Sequence, residues 1–147
     1  MNGAVGTATV RLAGPADAEA VVGLIQQLGY DVSQGHHVSL MRAMLHNQNH
    51  AIFVADLDNE VVGYLNVNFR PFLRYAELIA TIDELCVDER FRRHGVGRLL
   101  IETALQLART RGAHHLELTT NKRRVDALDF YRSLGFDMTS YKLVMDF

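Results

Sequence analysis

The chain switches between two hydrophobic periods, and the switches mark its elements. Thr9 to Leu12 alternates as a short first strand. Gly14-Pro15-Ala16-Asp17 opens a helix, with Pro15 near the first helical position and an acid in the first turn. Val21, Leu24, Ile25 and Leu28 follow the i, i+3, i+4, i+7 spacing of one helical face, and Gly29 supplies a stop. Tyr30 to Val38 is polar and reads as a loop. Ser39 then caps a short helix carrying Leu40, Met41, Met44 and Leu45, and His46 to His50 is polar again. Ala51 to Ala55 is a strand, Asp56 to Glu60 a hairpin turn, and Val61 to Phe69 the return strand. Pro71 breaks that strand within an Arg70 to Tyr75 connection. Glu77 to Val87 is the next strand. A helix after Gly97 buries Leu100, Thr103, Ala104, Leu107 and Ala108 and ends near Gly112. His115 to Thr119 is a strand, Val125 to Leu134 a helix stopped by Gly135, and Phe136 to Phe147 one or two final strands.

The order β-α-α-β-β-β-α-β-α-β predicts an α/β (α+β) fold. Short connections favour an antiparallel meander, and the helix between Val87 and His115 is a crossover that favours parallel pairing. A mixed sheet with helices on both faces follows. The length of 147 residues suits one domain over residues 1–147. Apolar content of 48% gives an ordinary core, and a net charge of −2 gives no bulk reason to expect nucleic acid or an anionic membrane. No apolar run approaches the ~20 residues that span a bilayer. The first residues, Met1 to Thr7, show no signal-peptide pattern. Cys86 is the only cysteine, which excludes an internal disulfide and fits a reducing cytoplasm.

One stretch carries candidate chemistry. Leu85 to Leu100 reads as strand, charged loop, two glycines and helix start. Such a turn aims unpaired backbone N–H groups and the positive end of a helix dipole at one point. Gly95 and Gly97 permit close approach or positive φ, while Arg92, Arg93, His94 and Arg98 add donors and charge. The reading is an anion cradle for phosphate or pyrophosphate, set against a turn with purely structural glycines. Leu100 stands where a dinucleotide fingerprint needs a small residue, and no Walker Lys-Ser/Thr follows, so both of those motifs are excluded.

Arg92-Arg93-His94-Gly95-Val96-Gly97 resembles the Arg/Gln-x-x-Gly-x-Gly/Ala pattern of the GNAT family of N-acetyltransferases. The match extends back over Ile82 to Val87 and forward to Leu99 and Leu100. A second segment, Ala127 to Phe136 with Phe130-Tyr131 and Leu134-Gly135-Phe136, resembles the family's C-terminal motif. The resemblance implies a GNAT-like sheet with splayed central strands and acetyl-CoA as co-substrate. Its pyrophosphate would sit on Arg92, Arg93, His94, Gly95, Val96, Gly97 and Arg98, and its pantetheine arm along Leu85, Cys86 and Val87. It also implies Tyr131 as the general acid that meets the departing thiolate, and direct acetyl transfer to an amine acceptor. A catalytically silent acyl-CoA-binding sensor is the alternative. The last strands form interfaces in family members, which is compatible with a homodimer.

Glu84 is the candidate base, because a carboxylate on the central strand can take the acceptor's proton. Alternation groups Ile82, Glu84 and Cys86 on one face. A β-bulge, which the resemblance implies in this strand, would reverse that parity and leaves Asp83 open. Asn121 stands where relatives often touch the arm; many carry Asn at the position of Arg124. Arg124 and Lys122 read as surface charges. Cys86 suggests a nucleophile, yet no neighbouring His or Asp orients it, so it reads as packing. His46 and His50 have i, i+4 spacing but no further ligands, and no metal is expected. Acceptor contacts are expected from Gly29 to His50 and Phe69 to Tyr75.

Overall fold

The computed structural model describes residues 6–121 and 123–147; residues 1–5 and Lys122 lie outside the described residues. The apolar runs pair as the meander requires. Strand β2 (His50–Leu57) pairs antiparallel with β3 (Glu60–Phe72), and β3 with β4 (Glu77–Val87). Strand β1 (Thr9–Leu12) adds antiparallel to β2, and β5 (Leu116–Leu118) follows β4, giving the order β1-β2-β3-β4-β5. Strand β3 runs through Pro71, which pairs with Leu78. Strand β2 stops at His50, opposite Asn68, so beyond that point β3 has a single antiparallel neighbour and tolerates a residue without an N–H.

Tyr64 and Cys86 face helix α1 (Ala18–Gln27), joining Val21, Val22, Leu24, Ile52 and Val54 in one buried cluster. Helix α2 (Gln34–Met44) covers the same cluster with Val38 and Met41. It starts at Gln34, not at Ser39. The i, i+3 pair Val38 and Met41 sets its inward face, while Leu40, expected on that face, is exposed. A polar first turn of Gln34, Gly35, His36 and His37 hid this start. Strand alternation turns Gly63 to the opposite face. A Cβ there would lie 3.1 Å from the Cys86 carbonyl oxygen, 3.2 Å from Val96 Cγ1 and 3.3 Å from Leu100 Cδ1. Glycine thus lets helix α3 (Val96–Thr110) seat its first turn against β3 and β4, so the sheet has helices on both faces. Helix α3 buries Val96, Leu100, Ile101, Ala104 and Ala108, whereas Thr103 and Leu107 are half-buried flanks.

The described residues form two compact units, one reaching Glu117 and one from Leu118 to Phe147. The second holds helix α4 (Val125–Ser133), closed by Gly135 at φ 97°. Among the described residues no strand follows Leu118, so the expected final strands are absent. Tyr141, Leu143, Met145 and Phe147 alternate and are all exposed. Alternation alone makes no strand, because the backbone needs a neighbouring strand to bond.

Candidate functional site

The end of β4 is tied down by a buried carboxylate. The Asp88 N–H donates to the Val62 carbonyl at 2.8 Å, which fixes where the strand ends. Asp88 is 5% exposed. Its side chain accepts from the Arg90 backbone N–H at 2.9 Å, from Arg90 Nε and Nη2 at 3.1 Å each, and from Gln27 Nε2 at 3.2 Å. Gln27 Oε1 in turn accepts from the Glu89 N–H at 3.3 Å, and Arg90 also pairs with Glu60. The single turn Glu89–Phe91 is therefore anchored to α1 and to the β2–β3 turn.

These bonds, above all those from Arg90, pull the Asp88 carboxyl down to about 2 against its burial. A depressed carboxyl stabilises the fold above its unfolded value near 3.8 and loses that contribution as pH falls through about 2. The difference corresponds to about 2 kcal/mol, and less where the exposed Arg90 head is screened. Asp88→Asn is expected to cost about 2 kcal/mol at pH 7 by urea unfolding. The gap to wild type should narrow between pH 4 and pH 2, and a gap constant with pH would contradict the ionic account.

Past this anchor the chain makes the turn seen in the sequence. Arg93 has φ 66° and Gly95 φ 81°, two left-handed positions that swing the backbone into α3. Gly95 is the N-cap residue, so the helix starts at Val96 and Gly97 lies inside its first turn, not before it. The first intrahelical bond runs from the Leu99 N–H to the Gly95 carbonyl at 3.1 Å. The N–H groups of Val96, Gly97 and Arg98 thus stand ahead of the ladder. The first turn holds no acid, and Arg92, Arg93, His94 and Arg98 are exposed around it. Arg92 Nε donates to the Val87 carbonyl at 3.2 Å, and Arg98 lies 4.0 Å from Glu102. A cavity of about 340 Å³ lies on the β1 side of the turn, lined by Thr7, Leu57, Phe91, His94, Gly95 and Arg98 among others. Glu84 is not part of its lining.

Upstream, the register of β3 and β4 shifts at Asn66/Val67: Asn66 pairs with Glu84 but Val67 with Ile82. Asp83 is the extra residue of a bulge. Glu84 and Cys86 therefore share one face, opposite Asn66 and Tyr64, while Ile82 is turned to the other, which corrects the simple alternation. Glu84 is exposed, and its Oε2 accepts from Asn66 Nδ2 at 3.3 Å. Asn66 Oδ1 lies 3.3 Å from His50 Nδ1. Tyr64 lies on the same face, within electrostatic reach of Glu84. Burial first, then the Glu84 charge, holds the Tyr64 hydroxyl far above the ordinary phenol range. Sequence reasoning missed Asn66 and Tyr64. The available signal was an amide inside the apolar run Tyr64 to Val67.

Leu85 pairs with Leu65, Cys86 with Tyr64 and Val87 with Gly63. Cys86 is 3% exposed, and its thiol donates to the Leu24 carbonyl at 3.4 Å within the α1 cluster. On its other side β4 is bonded near its start: His114 N–H donates to the Leu78 carbonyl at 2.7 Å and Ala80 N–H to the His115 carbonyl at 3.1 Å. Both bonds lie at the end remote from Val87. His46 sits in a turn after α2 and His50 begins β2, so their spacing does not fall on one helix.

In the second unit, Tyr131 lies on α4 with its ring 5.4 Å from Phe130 and 6.0 Å from Phe136. Burial pushes its phenol up, against a smaller opposing pull from Arg124. Asn121 is exposed, and its Oδ1 accepts from the Arg123 N–H at 3.0 Å while its carbonyl accepts from the Arg124 N–H at 2.9 Å. Arg124 is exposed beside it.

This arrangement can be set beside known proteins. Residues 18–136 match the model of the acetyltransferase (GNAT) family. The chain belongs to that family. Among GNAT relatives, the aminoalkylphosphonate N-acetyltransferase of Salmonella typhimurium is 34% identical over 85 residues, covering 58% of this chain and 55% of that protein. N-acetyltransferase 8 of Homo sapiens is 30% identical over 102 residues, covering 68% of this chain and 44% of that protein. The chain spans about half the length of these curated relatives. The crystal structure of a transcriptional regulator from Bacillus halodurans C-125 superposes with a TM-score of 0.89 at 31% identity, covering 96% of this chain and all of that one. Among the described residues of this GNAT chain, no helix is long and apolar enough to cross a membrane.

Proposed function

We propose that this GNAT chain, residues 1–147 working as one domain, is an acetyl-CoA-dependent N-acetyltransferase. It moves an acetyl group to a primary amine of a small molecule or peptide by direct transfer. The observation that carries this reading is the run from Glu84 to Arg98. An exposed carboxylate on β4 leads, within one strand end and one anchored turn, to an acid-free helix start with three N–H groups ahead of its ladder. That donor set suits a pyrophosphate, with Arg92, Arg93, His94 and Arg98 as its charged surround and Gly95 giving the turn.

Leu85, Cys86 and Val87 offer the backbone along which the pantetheine arm pairs. The Val87 carbonyl that Arg92 already uses keeps a second lone pair. A backbone N–H near Leu85 or Cys86 is the donor for the thioester oxygen. Acetyl-CoA supplies the activated acyl group: the N–C bond forms as the C–S bond breaks. Glu84 takes the proton from the acceptor nitrogen, and Tyr131, by its place in the family motif, gives one to the leaving thiolate. Asn121 is a contact for the arm.

The test is release of free thiol from acetyl-CoA in the presence of 2-aminoethylphosphonate, an amino sugar, lysine and a peptide amino terminus. At least one amine is expected to drive turnover. Acetyl-CoA at about 100 times its Kd should stabilise the fold by about 2.7 kcal/mol in thermal unfolding. Binding without turnover would make the chain a silent acyl-CoA-binding domain, and no stabilisation would end the reading altogether.

A further inference from the structure

We propose that Asn66, with His50 behind it, is a positioning pair that holds the Glu84 carboxylate in place for the acceptor amine. The inference rests on the reading of Glu84 as base. Asn66 is 2% exposed in the middle of β3, a position where burial of an amide is costly and where Asn is rare. Both ends of its side chain are used. Nδ2 lies 3.3 Å from Glu84 Oε2 and Oδ1 lies 3.3 Å from His50 Nδ1.

The direction of this chain is fixed by chemistry. An ionised carboxylate only accepts, so the Asn66 NH₂ faces Glu84. The Asn66 oxygen then faces His50 and also only accepts, so His50 Nδ1 carries the hydrogen. His50 sets the amide, and the amide sets one carboxylate oxygen. Asn66 holds Oε2, so the other oxygen, Oε1, is the one assigned to the acceptor. The bulge at Asp83 leaves Glu84 paired with Asn66 on the face of Tyr64 and Cys86 and turns only Ile82 to the other.

A purely structural account fits poorly. Glu84 is exposed and needs no buried partner to be solvated. Holding an exposed glutamate in one rotamer costs side-chain entropy that water would not demand. Spending a buried amide and a histidine on that task makes sense where the carboxylate must sit in one place when a substrate arrives.

The experiment is a double-mutant cycle read with the best amine of the panel above, recording kcat, KM for acetyl-CoA and thermal midpoint. Asn66→Ala is expected to lower kcat about 10-fold in the wild-type background. In the Glu84→Gln background the same change should alter kcat by less than about twofold, because the base it positions is gone. KM for acetyl-CoA should stay within about threefold in both. Equal losses in the two backgrounds would show a structural role for Asn66 and overturn the inference while leaving Glu84 as base. A Glu84→Gln enzyme as fast as wild type would overturn the reading of Glu84 itself, and this inference with it. If Asn66→Ala does not fold, His50 decides. His50→Ala should lose about threefold in kcat, and His50→Asn, which keeps an N–H near the Nδ1 position, should recover it. Equal rates for both histidine variants and wild type would overturn the proposal.

Discussion

Glu84→Gln is expected to lower kcat by about 10² at neutral pH, the lower end of what one general base contributes. The substitution is nearly isosteric and the side chain is exposed, so folding and acetyl-CoA binding should be unchanged. The amide can still meet Asn66 and Tyr64, but it cannot take a proton. An alkyl amine with a pKa of about 10 arrives mostly protonated at neutral pH, so a base must strip it before attack. The ratio of wild type to variant should therefore shrink as pH is raised toward the amine's own pKa, where solvent supplies the free amine. Steady-state thiol release between pH 6.5 and 9.5 measures this. A twofold effect or none at pH 7 would move the role to Asp83 or to water, and Asp83→Asn, assayed alongside, separates those two.

Long elements with one strong period were legible in the sequence. The meander of β2, β3 and β4, the α3 crossover and the Leu85 to Leu100 turn lie close to their expected places, because apolar spacing and glycine punctuation are local properties. Helix α2 was misplaced because its first turn is polar and only Val38 and Met41 bury. The bulge at Asp83 depends on how β4 registers against β3, which neither strand's sequence states alone. The same holds for the Gln27–Asp88 bond, which joins residues 61 positions apart. Parity is the step that matters for function. It keeps Glu84 on the face of Asn66, Tyr64 and Cys86, and it separates Glu84 from Ile82, its neighbour by simple alternation. The last segment failed for a different reason: the one or two strands expected over Phe136 to Phe147 do not form, since among the described residues no strand follows Leu118.

Tyr131→Phe is expected to lower kcat by about 10² to 10³, the scale of losing a general acid or a single donor to developing charge. The change removes one oxygen and leaves the ring that packs with Phe130 and Phe136, and the backbone bonds from Leu134 and Phe136 to the Tyr131 carbonyl stay as they are. Stability and KM for acetyl-CoA should therefore move little. Burial raises the phenol above its ordinary value and the Arg124 charge only partly offsets this, so the hydroxyl keeps its proton across neutral and mildly alkaline pH. An acid that stays protonated until it is used is what a departing alkyl thiolate calls for. The deficit should thus be flat from pH 6.5 to 9, in contrast to the narrowing expected for Glu84→Gln. The two variants can be told apart by profile alone. A Tyr131→Phe enzyme within threefold of wild type would assign Tyr131 to packing in α4 and leave protonation of the thiolate to solvent.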